Sequence, residues 1–337
     1  MNELETFYIT TRLSGRLTQL PDSQKIFGAL IYLYADVHTP EETSKFVSKI
    51  KEKELYFALS NMLPIGYLPV PIDLFIDKIN TYETKIEDKQ ASDSKELYKK
   101  LKKREFLKID ELKNTLKNGK TIDLNATYVY EKSSQQIHAA IDCLTYNLPG
   151  LDPNLYSTPE VTIIEVNKNA RTVITEFGFY LSCDENEEIK SLLFHLEKAK
   201  ENKKLIFLGP RGSQGLNTYT ITNIKKLNED QHKIKQTYSE DNTIYLNTGM
   251  LLPNKINFEQ SLLKLHTSER RPYEQLGGWD KDQQKKFISF IQPGSIISSK
   301  EKLSDIGKSI DSPFGRKGAI IFGNAYLTPI EINEGGQ

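Results

Sequence analysis

Apolar and polar residues follow recognisable periods over the first fifty positions. Residues 4–13 are rich in β-branched and aromatic side chains, which predicts an opening strand. From Ile26 to Tyr34 apolar residues recur at helical spacing, which predicts an amphipathic helix with Asp22 or Ser23 as its N-cap. Residues 41–53 predict a second helix with an apolar face.

The pattern weakens in the middle of the chain. Closely spaced prolines favour extended structure just before this region, at Pro64, Pro69 and Pro71. From residue 78 to about 155 polar residues dominate and the helical period fades. We interpret the stretch from about 73 to 160 as an insertion, with a basic helical part followed by a mobile polar arm around 147–153.

Periodic elements then return in an order that indicates the fold class. The pattern predicts two strands, a helix, an apolar turn, a glycine-rich loop and a strand, at residues 161–166, 172–181, 187–200, 205–207, 208–217 and 218–224. With the first strand and helices, this is the β-α-β-β-α-β order of a ferredoxin-like unit. The chain is thereby predicted to be α+β.

The length and the remaining pattern predict a second, smaller α+β domain. We place the boundary at 228/229, which gives an N-terminal domain of residues 1–228 and a C-terminal domain of residues 229–337. Within the second domain the pattern predicts a strand at 243–247, helices at 258–265 and 281–290, and late strands at 294–297, 318–322 and 327–332.

The glycine-rich loop carries candidate chemistry. Gly209, Gly212 and Gly215 fall three apart around Arg211, and Ser213 lies between them. Glycine allows backbone N–H groups to approach an anion, and arginine and serine add contacts to phosphate. Because the glycines follow a predicted helix and precede a strand, the order differs from that of a mononucleotide site and favours a nucleic-acid backbone. The alternative is an ordinary connection that caps the preceding helix with glycine.

A second cluster combines cations and aromatic rings. Arg270, Arg271 and Tyr273 precede Trp279, the one tryptophan of the chain. Arginine and aromatic side chains together suit phosphate contact and base stacking. Packing in a core is the alternative role for Trp279.

Charge and composition narrow the class of protein. The 45 basic and 45 acidic residues give a net charge of zero, but residues 95–120 hold ten basic and four acidic residues, a net charge of +6. This stretch is either a basic face or a solvated helix. The two cysteines, Cys143 and Cys183, form no CxxC pair, and neither a membrane-spanning run nor a signal sequence is expected. We therefore predict a cytoplasmic protein without a membrane partner.

No sequence pattern indicates catalysis. The five histidines lack metal-ligand spacing and Gly-x-Ser-x-Gly is absent, so we predict no catalytic residue, no metal and no cofactor. His195, on the predicted helix, is read as structural. His138, in the polar insertion, is a candidate RNA contact or general acid/base, and a solvated histidine is the alternative.

With these pieces in order, the chain resembles a known family over nearly its full length. It is similar to the RAMP subunit-four proteins of the Csm complex, the type III-A CRISPR interference complex. The similarity rests on residues 21–30, 62–64, 67–72, 154–156, 209–217, 290–298 and 325–330. The chain departs from the family where Leu216-Asn217 replaces an aromatic-Gly pair, where Pro210 replaces a residue with an N–H, and where Ser14-Gly15-Arg16 replaces His-aromatic-Gly. Asn217 tolerates the left-handed backbone that glycine would adopt.

The resemblance implies tandem ferredoxin-like or RRM-like RAMP domains with an inserted thumb. It implies a non-catalytic subunit that grips the 5′ handle of CRISPR RNA (crRNA), kinks the guide with its thumb, and joins the large polymerase/nuclease subunit to a backbone RAMP subunit, with target RNA as an indirect partner. The candidate RNA-binding residues are Lys25, Gly209, Arg211, Gly212, Ser213 and Gly215, with Arg16, Arg270, Arg271 and Tyr273 as further candidates. The candidate thumb residues are Asn147, Leu148, Asp152, Asn154, Leu155 and Tyr156.

Two other functions fit the same sequence. One is a metal-independent RAMP endoribonuclease that processes CRISPR RNA with His138 as general acid/base. The other is a protein-interaction module whose basic insertion meets an acidic partner and does not touch RNA.

Overall fold

The computed structural model describes residues 4–83, 91–118, 122–140, 154–168, 170–227, 243–270, 286–313 and 318–332. The helices are α1 (Ser23–Ala35), α2 (Pro40–Lys51), α3 (Ile72–Glu83), α4 (Ala91–Lys102), α5 (Ile109–Lys117), α6 (Glu187–Glu201) and α7 (Leu303–Ile306). The first strands are β1 (Leu4–Leu13), β2 (Phe57–Leu59), β3 (Leu63–Pro64), β4 (Tyr67–Pro69), β5 (Phe106–Lys108), β6 (Tyr128–Ala140), β7 (Asn154–Asn167), β8 (Ala170–Val173), β9 (Glu176–Asp184), β10 (Leu205–Phe207) and β11 (Thr218–Lys226). The later strands are β12 (Thr243–Asn247), β13 (Asn257–Leu262), β14 (Leu265–Arg270), β15 (Lys286–Ile291), β16 (Ile296–Ser299), β17 (Ile310–Asp311), β18 (Ile320–Ile321) and β19 (Leu327–Pro329).

The first sheet has the order β10-β11-β1-β9-β2, with β3 also paired to β9. Its pairings are antiparallel. Along the chain, β1, α1, β2, β9, α6 and β11 occur in the order β-α-β-β-α-β, with other elements between them. The sequence predicts the same order with residues 161–166 as the second strand, but those residues belong to β7 in a different sheet, and β2 takes that place. Strand β9 is an interior strand, paired with β1 on one side and with β2 and β3 on the other. Seven consecutive residues of its nine are buried, which requires cover on both faces.

Helices α1, α2 and α6 begin where their side chains satisfy free backbone N–H groups. The Asp22 carboxylate accepts the Lys25 N–H at 2.9 Å. Thr39 and Glu42 form a reciprocal capping box, and Asn186 accepts the Ile189 N–H at 2.8 Å. The structure confirms these predicted helices.

A five-stranded sheet, β4-β5-β6-β7-β8, comes from residues 67–173, between β3 and β9 in sequence. It contains a long hairpin, because β6 pairs with β7 from Tyr128↔Val166 to Ala140↔Asn154. The sequence pattern predicts no strand over residues 128–140, and the structure shows that this expectation is wrong. Residues 132–137 of β6 are exposed and mostly polar, so they lack the alternation of a half-buried strand. The tip of the predicted arm, 147–153, lies outside the described residues.

The C-terminal part contains a sheet β13-β16-β12-β19 and the strand pairs β14-β15 and β17-β18. The helices predicted at 258–265 and 281–290 are wrong wherever the structure describes them. Residues 257–262 form β13 against β16, and 265–270 pair with 286–291. Apolar residues fell at helical spacing there by chance, whereas the strands are held by partners that local periodicity does not reveal. The late strands are confirmed with boundaries shifted to 296–299, 320–321 and 327–329.

Apolar packing joins three regions: the first sheet with its helices, the inserted five-stranded sheet, and the C-terminal part. One core lies between the first sheet and its helices, around Phe46, Phe57 and Leu192. A second core joins the inserted sheet to β9 and the C-terminal sheet, where the Tyr180 ring stacks on Tyr326 with centroids 4.8 Å apart. Aromatic pairs at this separation add to the free energy of area burial.

Cys183 lies on β9 with its side chain wholly buried. Burial raises the pKa of the Cys183 thiol, and the neighbouring Glu5 and Asp184 carboxylates raise it further. A buried, protonated thiol is a poor nucleophile.

We therefore expect Cys183 to resist labelling in the folded protein. The experiment uses a Cys143→Ser variant, which leaves Cys183 as the remaining thiol. Its reaction with Ellman's reagent should be slower in native buffer than in guanidinium chloride by at least about a hundredfold, because the reaction in native buffer requires strand β9 to open. The measurement is the rate of thiolate release. Complete labelling of the native variant within the same time as the denatured one would contradict the buried position.

Candidate functional site

The glycine-rich loop is the turn between two strands. Helix α6 ends at a C-cap on Asn202, and Leu205–Phe207 forms strand β10, which pairs with β11. The apolar turn predicted at 205–207 is therefore a strand, and Gly209 is not the cap of a helix, so the predicted turn and the alternative of a helix cap are both wrong. The three-residue strand was too short to separate from an apolar turn by pattern.

The backbone of the loop takes left-handed conformations at three positions. Arg211, Gly215 and Asn217 have φ values of 60°, 75° and 53°. A short 3₁₀ turn, Gly212–Gln214, lies between the first two. The Gly215 N–H donates to the Gly212 carbonyl at 2.9 Å, so this glycine serves the turn itself.

The buried side chain of Asn217 holds the loop in place through hydrogen bonds. Its side chain is fully buried, and its Oδ1 accepts the backbone N–H of Thr18 at 2.9 Å. Its Nδ2 donates to the Pro210 carbonyl at 2.9 Å and to Thr18 Oγ1 at 2.8 Å. Asparagine thus supplies both the left-handed backbone and the hydrogen bonds that close the turn.

Close contacts occur at two glycines near the turn. A Cβ on Gly15 would lie 1.8 Å from the Gly215 carbonyl oxygen, so the two chain segments touch through their backbones and a side chain there would force them apart. A Cβ on Gly212 would lie 2.4 Å from the ring of Phe207, which is half-exposed and would have to move aside.

Two arginines join this turn to the inserted hairpin. The Arg211 Nη1 donates to Thr158 Oγ1 at 2.6 Å. The Arg16 guanidinium donates to Gln136 Oε1, and its Nε lies 3.9 Å from a Glu160 carboxylate oxygen. The Arg16 and Glu160 side chains are 57% and 34% exposed, so this ion pair adds little to stability.

These groups surround a groove of about 600 Å³. Both guanidinium groups line it, with hydroxyl, amide and backbone groups around them and one carboxylate at its side. The lining residues are Ser14, Gly15, Arg16, Leu17, Thr18, Gln136, Thr158, Pro159, Glu160, Arg211, Gln214, Gly215 and Leu216. We call it the arginine groove. Guanidinium and hydroxyl donors of this kind match the oxygens of a phosphate.

The structure brings some predicted site residues together and separates others. Arg16, Arg211 and Gly215 line the arginine groove, and Gly209, Gly212 and Ser213 lie in the same loop. Lys25 lies in the first turn of α1, where its ammonium is 3.5 Å from the Asp22 carboxylate and not in the groove wall.

Other predicted residues lie on strands or beyond the described ranges. Arg270 ends β14, and His138 pairs with Tyr156 in the hairpin. Asn154, Leu155 and Tyr156 open β7, which begins before the strand predicted at 161–166. Arg271, Tyr273, Trp279, Asn147, Leu148 and Asp152 lie outside the described residues.

Thr18, Gln136, Thr158 and Glu160 are groove residues that sequence reasoning missed. Thr18 lies more than a hundred positions before the other three, those three lie tens of positions before the loop, and no local motif marks any of them.

Two kinds of functional feature are absent from the part of the chain that the structure describes. Among the described residues, no group of three or more His, Cys, Asp and Glu side chains is placed to hold a metal ion. In the same part of the chain, no helix is long and apolar enough to cross a membrane.

We expect the Asn217 side chain to be the main support of the loop. Asn217→Ala should lower the free energy of unfolding by about 3 kcal/mol, because it strands the Thr18 N–H and the Pro210 carbonyl and leaves alanine in a left-handed backbone. Asn217→Gly removes the same hydrogen bonds without the backbone strain and should lower it by about 1 kcal/mol less. Urea unfolding of the full chain measures both.

Asn223→Ala is the matched control, since Asn223 lies exposed on β11, the strand that begins directly after Asn217. Its effect should stay within about 0.5 kcal/mol. Equal stabilities of the Asn217→Ala and Asn223→Ala variants would contradict the supporting role of Asn217.

Comparison with known proteins gives matches at the level of structure. No protein-family model and no curated protein sequence matches the chain. A chain of a crystal structure of the Csm1–Csm4 cassette in complex with pppApA superposes with a TM-score of 0.54 and 12% identity, covering 98% of this chain and 100% of that one. A second cassette structure, in complex with cA4, matches with a TM-score of 0.54, 13% identity and the same coverage.

A third similar structure contains Csm4 with a different protein, Csm3. A chain of the Csm3–Csm4 subcomplex in the type III-A CRISPR-Cas interference complex has a TM-score of 0.55 and 16% identity, covering 97% of this chain and 99% of that one. Csm4 is the component that both kinds of assembly contain. The chain therefore has the fold of the Csm4-type RAMP subunits of type III-A CRISPR complexes.

Proposed function

We propose that this protein is a non-catalytic RNA-binding subunit of a type III-A Csm complex, that it grips the 5′ handle of crRNA, and that the arginine groove is the site of that grip. The observation that carries the proposal is the convergence of Arg16 and Arg211 on one groove from positions nearly two hundred residues apart. Two guanidinium groups beside several hydroxyl donors offer charge-assisted hydrogen bonds to successive phosphates.

The inserted hairpin extends the proposed RNA path. The Gln136↔Thr158 pair, past the midpoint of its strands, supplies both residues to the arginines, and the same two strands continue to Ala140 and Asn154. RNA held in the groove would therefore meet the hairpin next. We propose that this hairpin, with Asn154, Leu155 and Tyr156 near its far end, is the thumb that kinks the guide, and that Asn147, Leu148 and Asp152, which lie between its two strands in sequence, contribute to it.

The proposed partners follow from the shared fold. Similar chains occur in assemblies of Csm4 with Csm1 and with Csm3. We propose that this chain likewise joins a large polymerase/nuclease subunit to a backbone RAMP subunit, and that it meets target RNA only through the guide. The β-α-β-β-α-β order of the first sheet supports a ferredoxin-like domain over residues 1–228, and we propose that 229–337 forms the second, smaller one.

The arginine groove makes a direct prediction about affinity. Arg211→Ala should weaken binding of a single-stranded RNA with the repeat-derived 5′ end by about tenfold, since it removes one charge-assisted contact worth about 1.5 kcal/mol. It should also reduce the slope of log affinity against log salt by about one. Fluorescence anisotropy with the full chain over a series of salt concentrations measures both quantities.

Arg171→Ala provides a control of equal charge. Arg171 lies exposed on the edge strand β8 and does not line the groove. If the two variants lose the same affinity, the loss reflects overall charge and the groove assignment is wrong. If the wild-type chain and the assembled complex bind no RNA through this subunit, the interaction-module function replaces the proposed one.

The nuclease alternative makes the opposite prediction about product formation. We expect the purified chain to leave repeat RNA intact, and a His138→Ala variant to behave in the same way. Gel analysis of 5′-labelled repeat RNA after prolonged incubation measures this. Cleavage by the wild-type chain that disappears in His138→Ala would establish the endoribonuclease function instead.

A further inference from the structure

A second groove, of about 540 Å³, lies where the three regions of the protein meet. Its walls come from residues before α1, residues after β2, the inserted sheet with α3 and α4, and the loops before β14 and after β15 in the C-terminal part. We call it the Tyr98 groove. The two grooves share no lining residue.

Hydrogen bonds between backbone groups hold the walls in place. The Met62 N–H donates to the Pro21 carbonyl at 2.9 Å, and the Val70 N–H donates to the Glu105 carbonyl at 2.9 Å. On the opposite side, the Gln292 N–H donates to the Lys264 carbonyl at 2.8 Å. The groove is thus built before any ligand enters, which reduces the entropy lost on binding.

The chemistry of the Tyr98 groove changes from floor to rim. Met62, Leu63 and Val70 are buried residues that contribute apolar surface. Tyr98 lines the groove although it is 43% exposed, and the Lys102 ammonium lies 5.8 Å from the centroid of its ring. Tyr98 and Lys102 are four residues apart on α4, so they share one face of that helix.

Groups of both charges complete the rim. Lys264 brings a second cation from the C-terminal part, and Asp73 and Glu105 bring carboxylates from the insertion. Glu105 Oε2 also accepts the Glu131 N–H at 3.1 Å, which orients that carboxylate. An accessible aromatic ring, two cations and oriented acceptors occur together here in a cleft with an apolar floor.

We propose that the Tyr98 groove holds one unstacked nucleotide of single-stranded RNA, with its base on the Tyr98 ring and its phosphates near Lys102 and Lys264. Splayed-out bases are recognised in this manner, by stacking on aromatic side chains and by hydrogen bonds to their edges. The carboxylates of Asp73 and Glu105 accept the N–H groups of such an edge. This inference rests on the proposed RNA-binding function and adds a site that the arginine groove does not include.

RNA is favoured over a protein segment by the arrangement of charge and ring. The exposed tyrosine lies beside one cation on its own helix, and the second cation lies on a different region across the groove. A nucleotide presents a flat base with an adjacent anion and so satisfies all three groups at once. Docking of a protein partner is an outcome that the experiment below separates.

The test compares variants of the full chain in binding a fluorescein-labelled single-stranded RNA of mixed sequence. Tyr98→Ala should lower affinity about tenfold, within the range measured for loss of one stacked base, whereas Tyr98→Phe should stay within about twofold of wild type. Lys102→Ala should lower affinity about fivefold. Lys99→Ala is the control, because Lys99 is exposed on the same helix and does not line the groove.

Photocrosslinking gives an independent readout on the folded protein. Irradiation of the wild-type complex, followed by digestion and mass spectrometry, should place RNA on the peptide that carries Tyr98. Crosslinks elsewhere in the chain should survive in Tyr98→Ala. Circular dichroism of each variant confirms that the fold is retained.

The outcomes distinguish this proposal from the one on which it rests. If Tyr98→Ala and Lys102→Ala bind RNA as well as Lys99→Ala does, while Arg211→Ala is weakened, the nucleotide site is wrong and the proposed function stands. If none of these variants, Arg211→Ala included, changes RNA binding, both are wrong. If Tyr98→Ala leaves RNA affinity intact but loses a protein partner of the complex, the groove is a protein-docking site and the nucleotide proposal is overturned.

Discussion

The hydrogen bonds of the buried Asn217 amide are the interaction on which the site depends. They tie the glycine turn to Thr18, and the adjacent Asn217 N–H donates to the Arg16 carbonyl at 2.8 Å. From there the Leu17 carbonyl accepts the Val161 N–H at 2.7 Å, so the chain of bonds reaches the base of the hairpin. Three segments that are remote in sequence are therefore fixed around one groove. These hydrogen bonds also position both arginines, because the Arg16 carbonyl accepts one of them and the carbonyl of Pro210, the residue before Arg211, accepts another.

Sequence patterns predicted those parts of the fold whose causes are local. The helices from Ser23, Pro40 and Glu187 could be found because each has a capping residue and an apolar face that repeats every three to four positions. The opening strand could be found from its β-branched and aromatic residues. Each of these features lies within ten to fifteen consecutive residues, and the folded protein keeps the element that each one predicts.

The missed elements have causes that lie elsewhere in the chain. Strand β6 is exposed along residues 132–137 and is defined by its pairing with β7, so its own residues carry no alternating pattern. Strand β10 has three residues and depends on β11 in the same way. The arginine groove shows this dependence on remote residues most strongly, because Arg16, Gln136 and Arg211 are far apart in sequence and come together only in the folded protein. The sequence identified the loop and its arginine, but not the hydroxyl and amide groups that position the guanidinium groups.

The inserted sheet determines how the two grooves relate to each other. Its buried residues are divided between two cores, since Val129 and Val161 pack with the first sheet while Leu68 and Leu107 pack with Tyr180, Leu246 and Tyr326. A sheet that shares its apolar surface with two neighbours cannot turn without exposing part of one core to water. One end of the sheet supplies Thr158 to the arginine groove, and another supplies Phe106 to the Tyr98 groove. The distance between the two grooves is therefore set by apolar packing, and a single RNA strand that occupies both must follow a path that the folded protein has already fixed.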